Sequence, residues 1–297
     1  MNKRLFGNLL LALASFIWGT SFVAQSLGMA HVEPFTFNSA RSFIGGLALL
    51  PVAAVSRRVS GPPSAKVRRT TRVGGLWCGL VLFAASSFQQ FGIVHTTVGK
   101  ASFITALYIV LVPLVGLFFG KRVRPLLWAA VALAAGGLYL LCFPGGERLS
   151  MGPGDLLVLC CALVFTAHIW VVAHFSPRVD CVALSCAQFF VTGILGLCAA
   201  LIFETPQLPA MLDCLGPLLY AGLLSSAVAY TLQIIGQKTT EPAVASLIFS
   251  LEAVFGALAG WIVLGERFTS AEFAGAGLML VAIVLSQWPE REGAGTA

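Results

Sequence analysis

TTVGKASFITALYIVLVPLVGLFFG (Thr96–Gly120) returns later in the chain as TTEPAVASLIFSLEAVFGALAGWIVLG (Thr239–Gly265). With one extra residue in the second copy, Thr96, Thr97, Ala101, Ser102, Ile104, Leu107, Val110, Leu114 and Gly116 fall on identical residues at Thr239, Thr240, Ala245, Ser246, Ile248, Leu251, Val254, Leu258 and Gly260. Both copies are apolar enough to cross a bilayer. Internal duplication of membrane-spanning sequence is the pattern of a transporter whose substrate site lies between its halves.

The rest of the chain agrees. Of its 297 residues, 58% are hydrophobic and only 10% charged, with a mean hydropathy of +0.91. Soluble domains carry about 25% charged residues, so the solvent for this much apolar surface is lipid. The net charge of +6 comes from loop lysines and arginines and does not point to nucleic acid. The eight cysteines lack metal-site spacing and read as small apolar filler. Lys3, Arg4 and the leucine run after them imitate a signal peptide, but the apolar run continues uncharged from Leu5 to Ala30 and reads as a retained first span.

Cutting at charges, Gly/Pro clusters and turn residues predicts ten spanning helices, at 8–30, 35–56, 73–94, 99–119, 125–143, 155–175, 182–203, 214–236, 242–264 and 270–288. The chain reads as one membrane domain over 1–297, with a first repeat over 5–144 and a second over 150–289. Five spans per repeat is an odd number, so the second copy crosses upside down. Asn8-LLLALASFIWGTSF pairs with Asp155-LLVLCCALVFTAHI, and Arg41-SFIGGL with Gln188-FFVTGI at the same offset, which sets Phe43 on Phe190 and Gly46 on Gly193. Gln90 falls on Gln233, Ser21 on His168, and Tyr108 on Glu252. With a cytoplasmic N-terminus, fourteen of the 18 lysines and arginines lie in inside loops, against Lys100, Arg148 and Arg267 outside and Arg41 within a span. The positive-inside rule then places both termini in the cytoplasm. Short loops and simple topology suit a bacterial inner membrane.

The chain resembles the drug/metabolite transporter (DMT) superfamily, specifically the EamA-type ten-helix permeases. The resemblance rests on Trp18-Gly-Thr-Ser21, on Gly99-Lys-Ala-Ser-Phe-Ile-Thr-Ala-Leu-Tyr108 with Val112-Pro113, and on Ser250-Leu-Glu252 followed by Leu264-Gly-Glu266. It implies an all-α integral membrane fold of two inverted five-helix repeats. A central cavity lined by spans 1–4 and 6–9 is implied too, with spans 5 and 10 peripheral. Members move amino acids, nucleotide-related metabolites, sugars and drugs, so the resemblance names no substrate. One departure stands out. Ala253 follows Glu252 where relatives commonly have proline, which argues against a broken ninth helix.

Charges inside spans are the sharpest clues to a site, since each costs roughly 2.5–3.5 kcal/mol to insert. Glu252 lies ten residues after Pro242, about 15 Å along its helix and near the midplane. It suits a substrate-amine contact or a proton carrier, or else a structural carboxyl paired with Arg41 or bonded to serines such as Ser250. Arg41, seven residues into span 2, suits a carboxylate or phosphate clamp, a salt-bridge partner, or a snorkelling cation. His168 in mid-span suits proton coupling or plain packing. Trp18 and Tyr108 are deep for membrane aromatics and either stack on a ligand or pack. Gln89 and Gln90 are adjacent and cannot share a face. The substrate-binding candidates are Trp18, Ser21, Arg41, Gln90, Tyr108, His168, Gln188 and Glu252, with Glu252 as the proton-coupling candidate and no metal ligands or catalytic residues. Pro113 should free the Ile109 carbonyl and kink span 4. Gly116/Gly120 and Gly256/Gly260 make the G-x-x-x-G spacing and suggest that spans 4 and 9 meet there. The run Arg57, Arg58, Lys66, Arg68, Arg69, Arg72 anchors topology and favours anionic lipid.

The leading expectation is a secondary-active permease for a small metabolite, with an amino acid or related zwitterion compatible with two buried charges of opposite sign. The alternatives are facilitative or proton-coupled efflux of drugs or toxic metabolites and, more remotely, an intramembrane enzyme or a non-transporting adaptor. No G-x-x-x-x-G-K-[ST] loop occurs, so the chain carries no ATPase of its own. No cofactor is expected. The expected partners are the substrate and membrane lipid, with homodimer formation left open.

Overall fold

The structure is a computed structural model that describes residues 2–96, 98–121, 123–143, 151–264 and 269–288. Arg122, Arg148, Arg291 and residues 265–268 lie outside the described residues, as do the side chains of Val98 and Lys100. Ten spans follow in order: Lys3–Met29, Pro34–Ser60 and Ala65–His95; a broken fourth of Val98–Ala106 and Tyr108–Phe118; Pro125–Cys142, Pro153–Phe175 and Cys181–Phe203; an eighth covering Leu215–Leu219, Tyr220–Ala229 and Tyr230–Gly236; a broken ninth of Pro242–Phe249 and Leu251–Leu264; and Ser270–Ser286. Among the described residues nine of these are long and apolar enough to cross a membrane, and the tenth is a shorter apolar helix. The fold is an all-helical integral membrane bundle.

Local chemistry sets the ends. Proline opens spans 2, 5, 6 and 9, where its missing N–H costs nothing. Ser64, Asp180 and Thr269 cap spans 3, 7 and 10 through their side chains. Span 3 begins at Ala65, eight residues before the predicted limit, where the Ser64 side chain caps it by accepting from Val67 N. Past span 4, Gly120 sits at φ 69° and closes the helix in the left-handed conformation that glycine allows.

The bundle is inside out relative to a soluble protein. Buried positions include Asn38, Arg41, Gln90, His168, Gln188 and Glu252, whereas Leu201, Ile202, Phe203 and Ile262 stand exposed on the outer face. That distribution fits a lipid solvent.

Spans 2 and 7, equivalent in the two halves, lie antiparallel against each other. Ser39 Oγ donates to the Gly193 carbonyl at 3.0 Å, and its counterpart Cys186 Sγ donates to the Gly46 carbonyl at 3.5 Å. The Phe43 ring covers Gly193 while the Phe190 ring covers Gly46. As the number rises along span 2 it falls along span 7, so one half is inverted relative to the other. The neighbouring seams repeat the relation. Gly79 of span 3 abuts Val191 and the Gln188 carbonyl, and Gly222 of span 8 abuts the equivalent Ile44 and Arg41 carbonyl. Spans 5 and 10 pair the same way at the edge, through Gly137 and Gly275.

Both mid-bundle breaks fall within one residue of each other in the repeat, after Ala106 and after Phe249. The missing proline in span 9 therefore did not yield an unbroken helix. Serine hydroxyls take the loosened carbonyls instead. Ser250 Oγ donates to Leu247 O at 2.7 Å, and Ser15 Oγ of span 1 donates to Ile248 O at 2.9 Å. In span 4 the interruption is at Leu107, one to two turns before Pro113, where Leu107 N bonds Ile104 O and Val110 N bonds Leu107 O in tight three-residue turns. The G-x-x-x-G pairs do not join spans 4 and 9. Gly116 accommodates Trp170 of span 6, and Gly256 faces Gly19 of span 1. Spacing licenses close approach without choosing the partner.

The glycines of the peripheral seam give a test. A Cβ on Gly137 would lie 2.6 Å from the Gly275 carbonyl, whereas one on adjacent Gly136 meets nothing within 4 Å. Gly137→Ala is expected to destabilise by about 1–3 kcal/mol and Gly136→Ala to be neutral or slightly stabilising, read by thermal unfolding of the detergent-purified protein.

Candidate functional site

Where the two halves meet, a narrow cavity opens among spans 1, 2, 3, 4, 6, 8 and 9. It holds about 40 Å3, room for roughly three waters. Its walls are related by the internal repeat. Trp18 and Phe22 of span 1 face it, as do their counterparts Phe165 and Ile169 of span 6. Trp18 is held by edge-on contacts to Tyr230 at 4.8 Å and Phe249 at 5.3 Å, and its Nε1 donates to the Ser225 carbonyl at 3.3 Å. That carbonyl belongs to Tyr220–Ala229, which is wound as a π-helix, a widened ladder frequent at functional sites.

The two in-span charges both face this cavity and are contributed by different halves. Glu252 stands just past the span 9 break, where Oε1 accepts the Tyr108 phenol at 2.7 Å. Tyr108 occupies the equivalent position just past the span 4 break, so two repeat-related residues bond each other across the pseudo-axis. Arg41 enters from span 2. Its Nη1 donates to Gln25 Oε1 at 3.1 Å, and its guanidinium lies 6.0 Å from the Phe37 ring centre. Gln25 in turn donates to the Ser21 carbonyl. The two charges are thus not paired with each other, since each is bound to a neutral partner. Ser250 does not serve Glu252 either, because its hydroxyl is turned back to Leu247.

The remaining candidates divide. Trp18, Tyr108 and His168 line the cavity with Arg41 and Glu252. His168 packs edge-on against Tyr230 at 5.9 Å, and its Nε2 lies 3.3 Å from Gln188 Oε1. Gln188 itself stands behind His168, fully buried and away from the cavity, and span 7 contributes no wall. Ser21 and Gln90 are also fully buried behind the lining, and neither the Ser21 hydroxyl nor the Gln90 amide has a partner among the described residues. Of the adjacent glutamines it is Gln89 that faces inward, donating to Thr105 at 3.4 Å. Sequence reasoning did not single out Gln25, Thr105, Tyr230 or Gln233 as lining. For Gln25 a signal existed: Trp18, Phe22 and Gln25 are spaced i, i+4, i+7 on one helix face.

A bundle of inverted repeats closing on a small amphipathic cavity with one cation and one carboxyl is the architecture of a membrane transporter. The chain belongs to the EamA-like transporter family, whose pattern matches residues 5–143 and again 152–288. It is similar to an uncharacterized transporter of Archaeoglobus fulgidus, 32% identical over 95% of this chain and 86% of that protein. It is also similar to the WAT1-related protein At3g02690, chloroplastic, of Arabidopsis thaliana, 27% identical over 93% of this chain and 68% of that protein. The Bacillus subtilis transporter YwfM is 26% identical over 96% and 95%. A crystal structure of a protein 19% identical superposes with a TM-score of 0.77 over 95% of this chain and 96% of its own, which shows the fold alone. The family and the Archaeoglobus and Bacillus relatives are named as transporters, not enzymes.

The axial Tyr108–Glu252 bond is open to a double-mutant cycle. Tyr108→Phe and Glu252→Gln are each expected to lower the thermal midpoint, with a coupling of about 1–3 kcal/mol between them. Additive effects would show that the bond carries no energy.

Proposed function

We propose that this protein is a secondary-active transporter of a small zwitterionic metabolite, an amino acid or a close relative, working by alternating access between its inverted repeats. The observation that carries the reading is the pair of buried, mutually unpaired charges. Arg41 and Glu252 belong to different halves and share one cavity with an aromatic wall. A substrate carboxylate matches the Arg41 fork, and a substrate amine matches Glu252. The aromatic wall of Trp18, Phe165 and Phe249 takes the apolar remainder. The cavity is too small for a metabolite as it stands, so loading requires the halves to separate on one side and then the other. The bundle would lie in the cytoplasmic membrane with both termini inside, as the loop charges indicate.

A second reading, proton-coupled efflux of apolar toxic compounds, is favoured by the preponderance of aromatic lining. A thermal-shift screen of the purified protein separates the two, since a ligand that binds the native state raises its midpoint. Amino acids and their analogues should do so, and hydrophobic cations should not.

In proteoliposomes, Glu252→Gln is expected to abolish flux driven by a pH gradient while the protein stays folded; unchanged flux would remove the proton-carrier role. Arg41→Gln should weaken the affinity for a carboxylate substrate by roughly 10–150-fold, measured as the concentration dependence of counterflow.

A further inference from the structure

Spans 2 and 7 form one seam that ends differently at its two extremities. At one, Glu204 caps the start of span 2, accepting from Phe35 N, Thr36 N and Thr36 Oγ1 at 2.7 Å each, while Glu33 accepts from Thr205 N at 3.1 Å. An anion supplied by the chain thereby seals that end. The repeat puts Arg57 in the place of Glu204 and Asp180 in the place of Glu33 at the other end. There the seam is open. A groove of about 800 Å3 runs between spans 2, 3 and 7, with Arg57, Arg58, Arg68 and Arg72 at its mouth and Asp180 as its acidic member.

Four cations against one carboxylate leave the mouth strongly positive. Asp180 is already engaged as a helix cap, accepting from Ala183 N at 3.1 Å. The four guanidinium groups have no hydrogen-bond or ion-pair partner among the described residues. Arg68 and Arg72 are one turn apart on span 3, a like-charge spacing that opposes the helix unless an anion relieves it. Below the mouth the groove turns apolar. Leu50, about 10 Å down span 2 from Arg57 at 1.5 Å per residue, lies on this wall with Ala54 and Phe190, and Leu50 is 47% exposed. A cationic mouth continuous with an apolar trough on the lipid-facing side of a bundle is complementary to one kind of molecule. We infer that this groove is a specific site for an anionic phospholipid, its phosphate among the four guanidinium groups and an acyl chain along Leu50, Ala54 and Phe190. The occupant completes at this end the anionic seal that Glu204 provides at the other.

Native mass spectrometry of the full chain from mixed micelles of phosphatidylglycerol and phosphatidylcholine tests this. One phosphatidylglycerol should be retained in preference to phosphatidylcholine, and Arg57→Gln with Arg72→Gln should weaken its retention by roughly 30-fold. Lys66→Gln with Arg69→Gln removes the same charge from residues outside the groove and should leave retention intact. Arg58→Gln with Arg68→Gln is the substitute if the first pair does not fold. Equal losses from groove and control pairs would mean general charge attraction and overturn the proposal. So would displacement of the lipid by millimolar inorganic phosphate, which would mean a free-anion site, or absence of discrimination between the two lipids.

Discussion

Everything in this molecule depends on equivalent helices lying antiparallel at backbone distance. In hydrocarbon a hydroxyl or thiol donor has no water to turn to, and two rods held far apart cannot serve each other. Here Gly46 and Gly193 make room for the Phe190 and Phe43 rings of the facing helix, and Gly196 lets the Ser39 backbone approach. Ser39 then reaches the Gly193 carbonyl, and Cys186 reaches the Gly46 carbonyl. The same closeness carries Gly79 and Gly222 onto their neighbours, so spans 3 and 8 are drawn around the seam. The polar cavity is what remains at the centre once those approaches are made.

The breaks in spans 4 and 9 follow from that arrangement. They sit beside the pseudo-axis, where each half presents its interrupted helix to the other. Interrupted backbone is tolerated in a membrane only where protein or a cavity supplies partners, and Ser15 and Ser250 do so here. The interruption in turn aims the residues that follow it, Tyr108 and Glu252, at each other and into the cavity.

Most of the fold was legible in the sequence because hydropathy, loop charge and the offset repeat each read a strong physical constraint. Span limits mostly agree to within a few residues, and the inversion follows from an odd number of crossings. The charged part of the cavity was legible for the same reason: Arg41 and Glu252 are too costly to place in lipid without purpose. Neutral polar residues carry no such signal. Gln89 and Gln90 differ by about 100° around one helix, and only the actual rotation of span 3 decides which one faces inward. Ser21 and Gln188 are the repeat counterparts of His168 and Arg41, but the repeat preserves backbone position better than exposure. The span 9 break is not legible because it lacks the proline that usually marks one; serine hydroxyls loosen the ladder as well.

The Tyr108–Glu252 contact bears on how such a chain could arise. In a dimer of two identical half-length proteins, whatever stood at this axial position would confront itself. A carboxylate would meet a carboxylate in a nonpolar setting, a repulsion that leaves at least one of them protonated. A phenol bonded to a carboxylate there requires the two copies to differ. Two non-identical halves therefore hold a chemical option closed to a symmetric pair: a lone acidic group at the centre, met by a neutral donor.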